Sequence, residues 1–500
     1  MGSFQFPAVH VSEDLVYDLH AMNPWWTGEP QRGLPPLRRT LVGAIHRRLR
    51  LGLAPIVVIR GPRQVGKSTA ALHVVQDILE TVAEPRQVFR VQWDETPALS
   101  SLGPEPILRL VHWYEQEILR TTINAMAGAG KPVYLIFDEV QTVKDWHVQL
   151  KHLVDLTSVR MVVTGSSALQ IEAGRDSLAG RLTTLEAAPL SLTEIARFGG
   201  GDLGEPFLQD NGLEPLVDRE FWHGLKRHGQ DQAAARDTAF RLFSERGGYP
   251  VGHRSPLPPW PLLADHLNET VIRRVVLHDL RSGSRGRPLD PQLLEEIFRL
   301  AFRYAGQSPN PQVFAREVRR TLGPEPDVHT VNRYLQSVGD TLLVRLVRPL
   351  ELRLKRAAGF PKLCLADHAL RASWLAEVAP LDPDGLAANP HLTPLAGHLA
   401  ESVVGSTFSS IHGLDVAYLP VRFDQPELDF VLTVGTRRIP VEVKYQRTID
   451  PLGDTEGLRT FLEKAVNNAT FGILVTQTDR AYEDDPRIVS VPLSSLMLLR

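Results

Sequence analysis

The amino-acid sequence predicts an α/β protein whose first half contains a parallel sheet covered by helices on both faces. From about residue 40 to residue 190, short runs of β-branched residues alternate with longer amphipathic stretches. Strict alternation of strand and helix is typical of a parallel sheet. Runs such as PIVVI at 55–59 and VYLIF at 133–137 have five residues each, which suits buried strands. A membrane-spanning helix needs about twenty apolar residues, so the sequence predicts no membrane span.

Length, charge and cysteine content limit the number of domains, the class of partner and the cellular compartment that the sequence predicts. The 500 residues predict about three domains at roughly 150 residues each. Lys and Arg number 55 and Asp and Glu 58, and a net charge of -3 gives no overall excess that would indicate nucleic acid or a membrane. The single cysteine, Cys364, excludes an intramolecular disulfide and a multi-cysteine zinc site, and it is typical of a reducing compartment. The first residues also lack a basic stretch followed by an apolar core, so we expect a cytoplasmic protein.

A phosphate-binding loop is predicted at residues 61–68, where GPRQVGKS matches G-x-x-x-x-G-K-[ST] between a predicted strand and a predicted helix. The glycines let backbone amides face phosphates, and the N-terminus of the following helix favours anions. Lys67 is expected to neutralise the β- and γ-phosphates of ATP, and Ser68 to ligate Mg²⁺. The alternative is a strand-to-helix turn that matches the motif by accident. The predicted nucleotide-binding residues are Gly61, Pro62, Arg63, Gln64, Val65, Gly66, Lys67, Ser68, Thr69 and Thr164.

Two acids, Asp138 and Glu139, follow a later apolar run. An acid at the end of a buried strand beside a phosphate loop can hold magnesium, which is the role predicted for Asp138. Glu139 is then placed to orient and deprotonate the attacking water, so it is the candidate general base. Thr164 ends the next strand, where a hydroxyl can sense the γ-phosphate or hold the water. The alternatives are solvated turn acids and a plain strand-ending turn.

A second group of charged residues lies near the end of the sequence. Glu442 and Lys444 alternate on one predicted strand and therefore project from the same face. Asp429 lies on the preceding strand and Glu401 on the helix before it. Two converging acids can bind Mg²⁺ through oxygen, with Asp429 and Glu442 as the predicted ligands, and a lysine can stabilise charge during phosphodiester attack. The alternative is a surface hairpin with a Glu–Lys pair, which is common and nearly neutral in energy.

The segment before this group concentrates positive charge. Residues 270–360 contain 16 Lys and Arg against 9 Asp and Glu, a local charge of +7, whereas the rest of the chain carries -10. Residues 290–350 predict three helices followed by a short strand pair, which is the order of a winged helix and indicates DNA binding. An ordinary solvated helical surface is the alternative. The candidate DNA contacts are Arg273, Arg274, Arg281, Arg285, Arg287, Arg316, Arg319 and Arg320, and in the groove His329, Thr330, Asn332 and Arg333.

Several segments together resemble the prokaryotic AAA+-type ATPases of the extended clade that includes the archaeal and STAND-like ATPases. The segments are the phosphate loop, IFDEVQTVKDWHVQLKHLVD, VVTGSSA, SLAGRLTTLEAAPLSLTEI and ERGGYP. The resemblance implies that Thr164 or Ser166 is the first sensor and that Arg181 is an arginine finger or sensor. It also implies that residues 247–250 (GGYP) lie in a lid close to the nucleotide and that residues 23–26 (NPWW) lie near the base pocket. A homo-oligomer such as a hexameric ring follows from the same resemblance.

Residues from about 390 to 500 resemble the restriction-endonuclease-like, PD-(D/E)xK, nuclease fold. The order of Glu401, Asp429 and Glu442-x-Lys444 carries this resemblance, although Leu428 stands where the motif often has proline. It implies catalytic roles for all four charged residues. The predicted domains are an N-terminal segment packing on the ATPase (1–40), a P-loop AAA+ ATPase core (41–195), a helical lid (196–285), a winged-helix segment (286–360), a linker (361–390) and a nuclease-like α/β domain (391–500).

The sequence thus predicts an ATP- and Mg²⁺-dependent DNA-processing motor with a nuclease activity in its C-terminal domain. Two alternatives stay open. The first is a STAND-like regulatory switch whose C-terminal domain only binds, and the second is a DNA translocase whose nuclease-like domain is not catalytic. The switch predicts slow, DNA-independent ATP turnover, whereas the motor and the translocase predict turnover that DNA stimulates.

Overall fold

The chain divides into two compact units, Met1–Ala187 and Ala188–Arg500, in a computed structural model. The structure describes residues 11–165, 177–209, 212–276, 289–323, 325–351, 359–421, 426–480 and 485–500. Ser166 and Arg281, Arg285 and Arg287, named above as candidates, lie outside the described residues. No helix in the described ranges combines the length and apolar character needed to cross a bilayer.

The first unit is built on a parallel sheet of five strands in the order β2-β3-β4-β1-β5. The strands are β1 (Ile56–Arg60), β2 (Val88–Gln92), β3 (Val133–Asp138), β4 (Val159–Gly165) and β5 (Leu182–Glu186). Every residue of β3 is buried, as expected for a strand with helices on both faces. The predicted parallel sheet is therefore confirmed, and the strand ends that carry the predicted ATP-site residues fall in this unit.

Six helices of this unit surround the sheet within the described residues. They are α1 (Glu13–Met22), α2 (Thr40–Leu51), α3 (Lys67–Thr81), α4 (Pro106–Tyr114), α5 (Ile123–Gly128) and α6 (Trp146–Leu156). Helix α3 starts directly after Gly66, whose φ of 88° lies in the left-handed region that glycine adopts freely. This geometry turns the chain from β1 into α3 within a few residues and points the first amides of the helix at the loop.

The second unit contains a mixed sheet of seven strands in the order β12-β11-β10-β9-β8-β6-β7. The strands are β6 (Val344–Pro349), β7 (Lys362–Leu365), β8 (Asp415–Leu419), β9 (Leu428–Val434), β10 (Arg437–Lys444), β11 (Gly472–Thr476) and β12 (Ile488–Pro492). β9 and β10 form an antiparallel hairpin that turns at Gly435, whose φ is 60°. β10, β11 and β12 run parallel. The strand register places Asp429 and Glu442 near the same end of this hairpin.

The described helices of the second unit precede and flank this sheet. They are α7 (Leu192–Phe198), α8 (Arg219–Asp231), α9 (Ala233–Arg246), α10 (Trp260–Leu267), α11 (Pro291–Arg303), α12 (Pro311–Leu322), α13 (Val328–Gly339), α14 (His368–Leu375), α15 (Pro383–Ala388), α16 (Thr393–Ser409), α17 (Glu456–Glu463) and α18 (Leu493–Leu496). The side chains of Asp290, Asn310 and Asp327 cap α11, α12 and α13, and each accepts a backbone N–H at the helix start.

Helices α11 to α13 are followed by the antiparallel pair β6–β7, in the order predicted for a winged helix. β6 also pairs with β8 in parallel, so the pair belongs to the same sheet as the C-terminal strands. This sheet crosses the domain boundaries predicted at residues 360 and 390. The helices predicted as a lid belong to this unit as well, and Arg236 on α9 donates to both carboxylate oxygens of Asp479 at 3.0 and 2.6 Å.

Candidate functional sites

The phosphate loop has the backbone geometry that its sequence predicts. Gln64 and Gly66 both have positive φ, 63° and 88°, so the backbone turns sharply at these two positions. A Cβ added to Gly61 would lie 2.1 Å from the backbone oxygen of Ala187, so only glycine fits at this position. The ammonium of Lys67 donates to the carbonyl oxygens of Gly61 and Pro62 at 3.0 and 2.8 Å. Two carbonyl groups of the loop therefore hold the Lys67 ammonium against the loop itself.

The predicted metal ligands and the sensor meet at the carboxyl ends of β3 and β4. The Ser68 hydroxyl donates to Asp138 Oδ1 at 3.0 Å, and the Thr164 hydroxyl donates to the same oxygen. Thr164 also accepts the backbone N–H of Glu139 at 3.1 Å. Asp138 is 1% exposed. A hydroxyl and a buried carboxylate in contact are oxygen ligands of the kind Mg²⁺ prefers, so these residues fit a magnesium ion.

Glu139 stands beside this pair in a backbone conformation with φ of 52°, which is rare for a residue with a side chain. Gln141 donates its amide to Glu139 Oε2 at 2.5 Å. Nearby, burial and the charges of Glu139, Glu95 and Asp138 together raise the pKa of Asp94. This edge of the sheet is thus strongly negative, and a bound cation relieves the repulsion among its carboxylates.

Arg90 on β2 is a site residue that the sequence reasoning missed. Its side chain is 9% exposed, and its guanidinium lies 3.2 Å from Asp138 Oδ2 and donates to Gln92 at 2.9 Å. Asp138 therefore has one oxygen held by hydroxyls and the other by a buried cation. An arginine inside the apolar run VFRVQ was the available signal, because an arginine on a buried strand needs an anionic partner.

In the second unit, a lysine holds two of the predicted carboxylates together. Lys362 on β7 donates to Glu401 Oε2 at 2.9 Å and to Asp429 Oδ1 at 2.7 Å. Its side chain is 2% exposed. Burial opposes its charge, but Asp429 and Glu401 outweigh burial and raise its pKa. Burial likewise opposes the charge of Asp429, and Lys362 outweighs it, so the pKa of Asp429 is lowered. The sequence reasoning did not predict Lys362.

Glu442 and Lys444 complete this group, as predicted. Lys444 Nζ lies 2.8 Å from Glu442 Oε1. The second oxygen, Oε2, is buried and has no hydrogen-bond partner within the described part of the chain. Burial, with the charge of Asp429, raises the pKa of Glu442 to about 8. We call Lys362, Glu401, Asp429, Glu442 and Lys444 the carboxylate–lysine site.

The carboxylate–lysine site opens into a cavity of about 460 Å³ that is also lined by Asp454 and Glu456. In the described ranges no three His, Cys, Asp or Glu side chains are arranged to hold a metal by themselves. A divalent cation here would rest on Asp429 and Glu442 with water or phosphate oxygens, which is how Mg²⁺ commonly binds. The orphan Oε2 of Glu442 shows that the residues fit such an ion.

The exposed face of α13 carries most of the predicted groove-facing residues. His329, Asn332 and Arg333 are exposed, whereas Thr330 is half-buried and donates its backbone N–H to Asp327 at 2.6 Å. The remaining candidate arginines in the described ranges are all exposed. Arg273, Arg319 and Arg320 lie in ion pairs with Glu269, Glu325 and Glu317.

Comparisons with known proteins match two parts of this chain. Residues 54–196 match a family described as an AAA domain. The chain contains an AAA-type P-loop ATPase domain. Residues 396–496 match a family described as a domain of unknown function, DUF4143, and this match includes four of the five residues of the carboxylate–lysine site but not Lys362. We call the matched part of the first unit the ATPase domain.

The similar proteins are distant. Uncharacterized proteins of Mycobacterium bovis and Mycobacterium tuberculosis are each 26% identical over 230 residues, which is 45% of this chain and 42% of theirs. The Walker-type ATPase of Pyrococcus abyssi covers 70% of this chain and 99% of its own, at 12% identity and a TM-score of 0.37. The RuvB Holliday junction branch migration motor of Thermotoga maritima covers 64% and 91%, at 14% and 0.25. TM-scores this low do not support an inference about the function of this chain.

Arg181 lies at the wrong edge of the ATPase domain to serve its own phosphate loop. β1 and β5 run parallel with Ile56 opposite Leu182, so Arg181 lies beside the amino end of β1. The loop leaves the carboxyl end, after Arg60, and five strand residues at ~3.3 Å separate the two ends by roughly 15 Å. Arg181 instead forms a two-pronged ion pair with Asp155, at 2.5 and 3.0 Å. Arg181 therefore lies away from the phosphate loop of its own chain, and its role as an arginine finger or sensor stays a prediction.

The NPWW segment docks on the edge of the ATPase domain at β2. Asn23 is fully buried, and its amide donates to the carbonyl of Arg90 at 2.9 Å while its oxygen accepts the Arg90 N–H at 2.7 Å. The indole N–H groups of Trp25 and Trp26 both donate to the carbonyl of Val88 at 3.0 Å. In the sheet, β3 and β4 separate β2 from β1, so this segment covers the sheet edge rather than the strand that leads into the phosphate loop.

The GGYP segment meets a buried carboxylate of the second unit. Gly248 donates its N–H to Asp367 Oδ2, at 2.5 Å. A Cβ added to Gly247 would lie 2.1 Å from Asp367 Oδ1. The pKa of Asp367 is raised by burial. These contacts hold the segment within its own unit, and its place in a lid close to the nucleotide stays a prediction.

Proposed function

We propose that this chain is a Mg²⁺-dependent ATP hydrolase that works on DNA. One observation supports the hydrolase above all others. Ser68, Asp138, Glu139 and Thr164 form one connected set of hydrogen bonds at the edge of the sheet where the phosphate loop and Lys67 lie. Phosphoryl transfer needs positioning and charge neutralisation; these side chains would supply the first, and Lys67, with a Mg²⁺ ion that Ser68 and Asp138 would hold, the second.

In the proposed reaction, Lys67 exchanges its two carbonyl contacts for the β- and γ-phosphate oxygens of ATP. Ser68 and Asp138 would hold Mg²⁺, which would supply neutralisation of the phosphate charge. Glu139 accepts a proton from the attacking water, and Thr164 fixes the backbone at Glu139 so that the carboxylate points at that water. The Glu139 carboxylate cannot bind the Gln141 amide and the attacking water equally well. The hydrogen bond between Gln141 and Glu139 therefore breaks in this step.

Glu139→Gln and Lys67→Ala test this proposal. We expect Glu139→Gln to lower ATP turnover by about 10²–10⁴-fold with ATP binding retained, because only the base is lost. Lys67→Ala should weaken ATP binding itself. Lys131→Ala is the matched control, since Lys131 is half exposed and pairs with Glu84 at 2.7 Å. Unchanged turnover in Glu139→Gln would contradict the assignment of the base.

We propose further that the active form is a homo-oligomer in which Arg181 acts on a neighbour's nucleotide. The roughly 15 Å that separate Arg181 from its own loop support this arrangement. Mixing the inactive variants Arg181→Ala and Lys67→Ala should restore turnover, because mixed oligomers contain interfaces with an intact loop and an intact arginine. Mixtures that stay as inactive as the separate variants would refute a contribution in trans. Ring size follows from the mass of the assembly with ATP.

DNA binding is proposed for the winged-helix segment. The exposed His329, Asn332 and Arg333 on one face of α13, within a segment of charge +7, support it. Arg333→Ala should weaken duplex binding and reduce its salt dependence, because a phosphate or base contact is lost. Arg227→Ala, on α8, is the control. ATP turnover that DNA leaves unchanged would favour the regulatory switch.

For the carboxylate–lysine site we propose metal-dependent phosphodiester cleavage. Convergence of Asp429, Glu442 and Lys444 on one cavity supports this, together with the orphan oxygen of Glu442. Glu442→Gln should abolish Mn²⁺-dependent cleavage and leave ATP turnover intact, whereas Glu463→Gln, at an exposed helix end, should change neither. If the unaltered protein leaves linear, branched and single-stranded DNA uncut with either metal, the site is not a nuclease and the translocase alternative is favoured.

A further inference from the structure

We propose that the Lys362 ammonium occupies a divalent-cation position between Glu401 and Asp429, and that a neutral side chain at 362 opens this position to a metal ion. This inference concerns the same site as the proposed nuclease and rests on that function only for the neighbouring metal position at Asp429 and Glu442.

The contacts of Lys362 are those of a bound cation. Its nitrogen bridges an oxygen of Glu401 at 2.9 Å and an oxygen of Asp429 at 2.7 Å. The aromatic rings of Phe430 and Tyr418 face the same nitrogen, with centroids at 5.1 and 6.0 Å. Carboxylates from two different elements thus converge on one point, as ligands of a metal do.

Formal charge supports the same conclusion. The carboxylates of Glu401 and Asp429 contact the ammonium of Lys362, and when both are ionised the three groups together carry one negative charge. Removing the positive charge of Lys362 leaves two negative charges, which one divalent ion would neutralise. Two facing carboxylates without a cation are strongly unfavourable in a buried place. The chain itself therefore supplies, in Lys362, the cation that lies between Glu401 and Asp429.

The experiment counts Mn²⁺ ions bound to the full chain without nucleotide, from the electron paramagnetic resonance signal of free Mn²⁺. Lys362→Met should bind one more ion than the unaltered protein, and Lys362→Gln, which keeps a polar group, should do the same. Lys464→Met, at the end of α17, is the control and should bind the unaltered number. Adding Glu401→Gln to Lys362→Met should remove the extra ion, because one of its two carboxylates is gone.

A second readout covers variants that fold poorly. In EDTA, Lys362→Met should melt below the unaltered protein, and Mn²⁺ should raise its melting temperature by more than it raises that of the unaltered protein. No extra ion and no larger rise in both neutral variants would overturn the proposal. The number of Mn²⁺ ions bound by Glu442→Gln distinguishes the proposed nuclease metal position from the proposed position at residue 362. If it equals that of the unaltered protein, the proposed nuclease metal position fails, whereas the gain at residue 362 stands or falls independently.

Discussion

We expect the side chain of Asn23 to contribute strongly to the stability of β2, although its position in the sequence does not suggest a contact with this strand. Its side chain satisfies both the N–H and the carbonyl of Arg90, and all of these groups are buried. Asn23→Ala leaves two buried backbone groups unpaired, each at about 1–3 kcal/mol, so local stability should fall by about 2–6 kcal/mol. Since about 1.4 kcal/mol is a factor of ten, opening of β2 should become roughly 30-fold to 10⁴-fold more frequent.

Hydrogen exchange measured by mass spectrometry on the peptide that contains Arg90 reports this opening directly. Asn124→Ala is a matched control, because Asn124 makes the same pair of backbone contacts, with Leu156 at 2.8 Å and Ser158 at 2.9 Å, but is exposed. Water replaces those contacts, so exchange near Ser158 should rise less than about tenfold. Equal effects of the two substitutions, or less than a tenfold rise at Arg90, would refute the reasoning from burial.

Three further outcomes follow from contacts described above. Gly61→Ala should weaken ATP binding at least tenfold, because its Cβ meets a backbone oxygen at 2.1 Å. Anisotropy of a fluorescent ATP analogue measures this binding. Gly128→Ala, whose Cβ would lie in open space, should leave it unchanged. Gly247→Ala should lower the free energy of unfolding by about 2–4 kcal/mol in denaturant titrations, since φ is 70° and the new atom clashes with Asp367. Thr164→Val should slow ATP turnover about 10–100-fold with ATP affinity nearly unchanged, because both acids lose a positioning contact; equal loss of affinity would contradict this.

Contiguous sequence explains why the phosphate loop could be predicted. Its residues and the helix that follows lie within one short stretch, so the motif fixes the local geometry. Asp138, Glu139 and Thr164 were predictable for a related reason, since the carboxyl ends of parallel strands share one edge of a sheet. The amino ends of parallel strands likewise share the opposite edge. This rule predicts that Arg181, which precedes the amino end of β5, lies away from the phosphate loop.

Long-range pairings explain what the sequence did not reveal. Lys362 lies 39 residues from Glu401 and 67 from Asp429, on a strand whose place in the sheet depends on β6 and β8. Asn23 lies 67 residues from Arg90. No periodicity or motif links residues so far apart, and each pairing depends on which strand becomes a neighbour or an edge of the sheet.

The place of Lys362 on β7 has a practical consequence for how this chain can be divided. A fragment that starts at residue 391, where the nuclease-like domain was predicted to begin, retains Glu401, Asp429, Glu442 and Lys444 but loses the ammonium that bridges two of them. It also loses β6 and β7, so β8 becomes an exposed sheet edge. A fragment meant to reproduce the native site must therefore begin before β6, and results from a shorter one describe a different charge arrangement.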